Sequence, residues 1–189
     1  GSLMRILPAV FYLRREYGAA CMEKPESFAL IHNLSRLTHG HPISQIACGL
    51  YCDMANELMN GKTIAEAIGH AALLKDSWYG IKEEFSPWLP KFDFMNAGIL
   101  AALPEKAIRS SGYVVDTLQA ALWCLLITDS YSQCVLKAVN LGDDTDTVGA
   151  VAGGLAGILY GAESIPEDWL NVLVKKEEIV RLCENFIPV

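Results

Sequence analysis

Fifteen consecutive residues without a charge, Val148 to Ala162, follow directly on the acidic stretch Asn140-Leu141-Gly142-Asp143-Asp144-Thr145-Asp146-Thr147. Glycines at 149, 153, 157 and 161 recur every four residues, which lines them along one face of a helix. The run falls short of the roughly 20 residues that a bilayer-spanning helix needs. Gly costs up to about 1 kcal/mol against Ala inside a helix, so this stripe demands a packing reason. Close approach of neighbouring helices in a soluble core supplies one.

The acidic stretch sets a second constraint. Asp143, Asp144 and Asp146, with the hydroxyls of Thr145 and Thr147, fall within five residues at the mouth of that apolar run. Like charges packed so tightly repel, and burying them is costly unless a cation neutralises them. Hard oxygen donors with no His or Cys among them point to magnesium, manganese or calcium rather than zinc. The plainer reading is helix capping, since Asp and Thr are favoured N-caps and negative charge suits the helix N-terminus. Capping uses one or two such residues; here there are five.

A chain of 189 residues that is 52% hydrophobic and 20% charged is globular and fits one domain. Its net charge of −7 argues against a nucleic-acid backbone as main partner. A small anionic ligand remains open, because a bound cation reverses the local potential. Six cysteines, at 21, 48, 52, 124, 134 and 183, form no CxxC pair. That usage fits a reducing cytoplasm. Neither a signal peptide nor a membrane span is visible.

Periodicity near 3.6 dominates and predicts an all-α domain of about ten helices. Helices are expected over Leu3–Tyr17, Pro25–Leu37, an amphipathic Pro42–Met59, and a segment opened by Thr63 with Glu66 three residues on, a capping box. Further helices are expected over Met95–Leu103, Gly112–Ser130, Tyr131–Asn140, Glu167–Leu173 and Lys175–Phe186, with Ser86–Asn96 the one long irregular connection. His32 and His70 read as structural or exposed, whereas His39 and His41 flank a loop Gly within reach of a ligand. Asp53 and Glu57, at helical spacing, read as surface positions.

Several segments together resemble the ADP-ribosylglycohydrolase family. They are Gly1-Ser2-Leu3-Met4-Arg5-Ile6-Leu7-Pro8, Leu37-Thr38-His39-Gly40, Gly112-Tyr113-Val114-Val115-Asp116-Thr117-Leu118, Ala120-Ala121-Leu122-Trp123 and Ala138-Val139-Asn140-Leu141-Gly142, ending in Asp144-Thr145-Asp146-Thr147 and its Gly/Ala helix. The resemblance implies an all-α fold and a two-metal site holding Mg2+ or Mn2+. It also implies hydrolysis of the glycosidic bond joining ADP-ribose to a protein side chain or another acceptor. By motif position, Asp144, Asp146 and Thr147 match metal ligands, with Asp144 and Asp146 serving catalysis. Gly1 and Ser2 match a loop near the ligand phosphates, His39 lines the same pocket, and Tyr113 lies near the bound nucleotide. Asp143 occupies a position the family often fills with Gly.

The family also carries an early acidic residue and a Thr/Ser-Asp-Asp cluster ahead of the block that opens this chain, and no such cluster precedes the acidic stretch here. Two six-coordinate ions need about a dozen oxygens, of which Asp144, Asp146 and Thr147 supply about a third before waters. Residues 1–189 are thus expected to form one domain matching the C-terminal two-thirds of the family's usual length, N-terminally truncated. The expected partner is ADP-ribose or an ADP-ribosylated protein or small molecule, with a second copy of the chain as an alternative way to complete the site. Two competing functions stand beside the hydrolase. One is a non-catalytic ADP-ribose-binding module with a degenerate metal site. The other is a diphosphate-handling prenyl synthase, disfavoured because the spacing is DDxD and occurs once.

Overall fold

Ten α-helices and no strand make up the described residues, 1–186, in a computed structural model of the chain. They are α1 (Pro8–Tyr17), α2 (Pro25–Arg36), α3 (Pro42–Met59), α4 (Ile64–Leu74), α5 (Ala97–Ala101), α6 (Val114–Leu126), α7 (Tyr131–Val139), α8 (Thr145–Tyr160), α9 (Glu167–Val172) and α10 (Lys176–Phe186). No helix among them is long and apolar enough to cross a membrane.

The ends are set by local chemistry. Pro42 in the first turn and Asn60-Gly61 after the last residue bound α3, with Gly61 at φ 80. Thr63 and Glu66 form the expected capping box at the start of α4. Leu3–Tyr17 is not one helix. A 3-10 turn over Leu3–Arg5 precedes α1, because Pro8 has no N–H to donate and its ring clashes with a carbonyl four residues back. The Ser86–Asn96 connection is also more ordered than expected. Ser86–Phe92 forms a 3-10 helix whose turns accommodate both Pro87 and Pro90.

The core is organised around α3. Sequence periodicity predicted an amphipathic helix, yet fifteen of its eighteen residues are buried, because α2, α4, α6 and α8 all pack on it. This overturns the surface placement of Asp53, whose side chain is covered by α4 and fully buried. Asp53 Oδ2 lies 2.9 Å from His70 Nδ1, while Oδ1 has no partner. Burial raises the Asp53 pKa, the His70 hydrogen bond opposes that rise, and the same contact raises the half-exposed His70. His32 is buried too, with Nε2 3.0 Å from the Tyr79 hydroxyl, and desolvation depresses its pKa to about 4. The turn that delivers Tyr79 is a π-type turn, with Gly80 N–H donating to Lys75 O at 3.0 Å.

The glycine stripe has the packing reason that the sequence demanded. Gly149, Gly153 and Gly157 face Val139, Val135 and Tyr131 of α7 in antiparallel order. A Cβ on Gly149 would approach Val139 Cγ1 to 3.0 Å. Gly161 does not continue the stripe: at φ 85 it caps the end of α8. Gly154, on the other face, lets α8 settle onto α3, where Tyr51 donates its hydroxyl to Val151 O at 3.0 Å.

Candidate functional site

The acidic stretch becomes the entry to α8, and the geometry there bears directly on the capping reading. Asp144 is the N-cap residue, yet its carboxylate makes no cap bond to the helix backbone. Asp144 Oδ1 instead accepts from Thr147 Oγ1 at 2.9 Å, and Asp146 Oδ1 accepts from the Thr147 N–H at 2.9 Å. None of Asp143, Asp144 or Asp146 has an ion-pair partner among the described residues. Asp143 sits at φ 59, a left-handed conformation that suits Gly better than other residues.

Two connections fix this turn in space. The Asp144 N–H donates to Ser110 O, and Ser110 Oγ donates to Gly142 O, both at 3.0 Å. The loop leading to α6 is thereby stitched to the acidic loop, with Gly112 against the Asp144 carboxylate. On the other side, Thr147 Oγ1 lies 3.9 Å from Met4 Sδ, bringing the first residues of the chain to the same corner.

Gly112 belongs to the wall of a cleft of about 380 Å³. Gly1, Ser2, His39 and Tyr113, four residues singled out in the sequence, all line it. The acidic residues themselves stand at its edge, joined through Gly112. Ser2 is buried, and its hydroxyl accepts from Cys48 Sγ at 3.6 Å. The Arg5 guanidinium donates to Thr38 Oγ1, and that oxygen is 2.8 Å from His39 Nδ1. With Thr38 Oγ1 accepting from Arg5, its hydroxyl can donate to Nδ1, which puts the neutral ring's proton on Nε2. Partial burial and then nearby positive charge, including Arg5, lower the His39 pKa, which favours that neutral ring.

Sequence reasoning missed Trp88 and Lys91 in the wall, whereas His41, read there as within reach of a ligand, does line it. His41 caps α3 by accepting from the Ile43 N–H at 3.2 Å and meets Trp88 edge to face at a 4.5 Å centroid separation. Trp88 and Lys91 reach the cleft because the Ser86–Phe92 segment is helical, which no local signal in a Pro-rich stretch reveals. Tyr113 is the extended residue that begins α6, its N–H bonded to Ser111 Oγ at 3.2 Å.

Three hard oxygens on one helical turn have the right chemistry for Mg2+ or Mn2+. Alone they would supply only part of a coordination sphere: among the described residues no group of three or more His, Cys, Asp or Glu side chains gathers as a metal site.

Comparisons with known proteins identify the chain's relatives. The chain is 37% identical over 159 residues to ADP-ribosylarginine hydrolase Tri1 of Serratia proteamaculans (strain 568), covering 84% of this chain and 40% of that protein. It is 33% identical over 181 residues to the ADP-ribosyl-[dinitrogen reductase] glycohydrolase of Rhodospirillum rubrum, covering 94% and 51%. The chain thus spans about half the length, or less, of these curated relatives. A solved structure titled ADP-ribosylglycohydrolase-related protein complex superposes with a TM-score of 0.79 at 28% identity, over 99% of this chain and 59% of that one. The model of the ADP-ribosylglycohydrolase family matches residues 1–189 throughout, and the chain belongs to that family.

Proposed function

We propose that this chain carries the nucleotide cleft and one ligand facet of a metal-dependent hydrolase that cleaves ADP-ribosyl glycosidic bonds. The observation that carries the reading is the acidic turn without counter-charge: Asp144 and Asp146 have no ion pair among the described residues, bond only to Thr147, and stand beside a cleft bounded by Gly1, Ser2, His39 and Tyr113. Bound at Asp144, Asp146 and Thr147, Mg2+ or Mn2+ would offset their mutual repulsion and supply Lewis-acid chemistry next to the scissile bond.

The roles of the chain's own groups follow from position. The bond that breaks joins the anomeric carbon of the ribose to an acceptor nitrogen or oxygen, and water oxygen takes the acceptor's place. Positive charge develops on the ribosyl ring as that bond lengthens, and the carboxylates of Asp144 and Asp146 are placed to stabilise it. The diphosphate lies along Ser2 and His39, where a neutral imidazole donates from Nε2. Adenosine stacks towards the exposed ring of Tyr113. The names of the relatives support an arginine-linked substrate, and five buried free thiols support a reducing, cytoplasmic setting.

A second reading, a non-catalytic ADP-ribose-binding module, is favoured by one observation: the described residues supply only part of a metal site. Calorimetric titration with ADP-ribose, with and without Mg2+ or Mn2+, followed by an assay for release of ADP-ribose from ADP-ribosylated arginine, separates the two. Metal-dependent binding with release supports the hydrolase. Metal-independent binding without release supports the module, and absence of binding sinks both.

A further inference from the structure

Beside this cleft lies a second chamber of about 620 Å³, and Lys91 and Tyr113 line both. The order of groups along this double cleft matters. Asp144 lies against Gly112 at the edge of the first chamber; on the proposed reading the reacting ribose sits by that carboxylate and adenosine by Tyr113, a residue that is 43% exposed. What a stacked adenosine leaves unused beyond the ring are two cations. Lys91 has no ion pair among the described residues, and Arg109 makes one contact of 3.7 Å to Asp116 with its side chain 81% exposed. Such an exposed, long contact is weak and readily exchanged.

Among the described residues Asp116 is the only carboxylate lining this chamber, and it works against an anion there. Its side chain is 15% exposed, and its Oδ2 already accepts from Ser111 Oγ at 2.7 Å. Two available cations therefore face one partly shielded acid, on a chain whose net charge is −7. A guanidinium fork and an ammonium lining one chamber suit a phosphate group, whereas the bare hydroxyls of an adenosine ribose make little use of them.

Resting on the ADP-ribose reading, we propose that this second chamber is a phosphate subsite, where Lys91 and Arg109 receive a phosphate monoester carried on the adenosine ribose. The preferred ligand class is then ADP-ribose phosphorylated at its adenosine end rather than ADP-ribose itself.

Calorimetry on the whole chain with Mg2+, comparing ADP-ribose with 2′-phospho-ADP-ribose at low and high salt, tests this. The phosphorylated ligand should bind about three- to tenfold tighter at low salt, with the advantage shrinking as salt rises. Arg109→Met should remove most of the advantage while leaving affinity for ADP-ribose within about twofold, and Arg109→Lys should restore part of it. Equal affinities for the two ligands, or an advantage that survives Arg109→Met, would overturn the subsite and leave the ADP-ribose reading intact. If neither ligand binds, the ADP-ribose reading fails and the subsite falls with it.

Discussion

Gly112 and Asp144 touch: a Cβ built on Gly112 would lie 3.0 Å from Asp144 Oδ2. The two residues sit on different loops, and their contact joins the acidic turn to the nucleotide cleft. Gly112→Ala asks the carboxylate to move by a few tenths of an ångström. Its mobile side chain can do so without disturbing the core. The expected outcome is several-fold weaker Mg2+-dependent ADP-ribose binding by calorimetry, with little change in Tm. A large fall in Tm would mean that the contact is structural.

Asp143 and Asp146 are both acids of the same turn, yet they should behave oppositely. Asp143 holds a left-handed conformation at φ 59 that costs a non-glycine residue about 1–2 kcal/mol, less for Asp. Asp143→Gly should therefore raise stability by up to ~1 kcal/mol in chemical denaturation and leave metal binding in place. Asp146→Ala should abolish or severely weaken metal binding with little effect on folding. If the two substitutions weaken metal binding alike, the ligand assignment is wrong.

Helix α8 offers a packing test with its own control. A Cβ on Gly154 would meet the buried Tyr51 hydroxyl at 2.7 Å and Cδ2 of the partly buried Leu7 at 2.8 Å. Gly154→Ala should destabilise by about 1–3 kcal/mol through overpacking. Gly69 in α4 has nothing within 4 Å of its Cβ position. There Gly69→Ala should stabilise by up to about 1 kcal/mol, as read from denaturant midpoints.

The histidines predict opposing pH dependences. His70 is raised above its ordinary 6.5 by Asp53, so its contribution is complete below pH 6.5 and fades as pH climbs through the folded-state value. Asp53, raised above 3.8 by burial, likewise loses stability as pH rises through its folded-state value. His32, depressed to about 4, contributes fully above 6.5 and loses that contribution as pH falls from 6.5 towards 4. Thermal melts from pH 6.5 upward should show Tm falling in the parent and a flatter profile in His70→Gln. An unchanged slope in the variant would remove His70 as the cause.

Local signals carried much of this protein in its sequence. Pro42 and Asn60-Gly61 bound α3 because a proline ring and a left-handed glycine act within a single turn. Thr63 and Glu66 capped α4 for the same reason, and the acidic turn was legible because its donors are neighbours in the chain. The stripe of Gly149, Gly153 and Gly157 announced a close helix contact without naming the partner.

Tertiary structure decided what depends on residues distant in sequence. The 143-residue separation between Met4 and Thr147 closes only when α8 packs on α3, and the same packing sets Tyr51 against Gly154. Asp53 looked solvent-facing because periodicity reports a helix's own pattern; covering α3 on every side buried it. Trp88 and Lys91 joined the cleft by the path of the Ser86–Phe92 segment. Propensity and capping act over a few residues, whereas burial and the convergence of side chains are set by how completed helices fill space against one another.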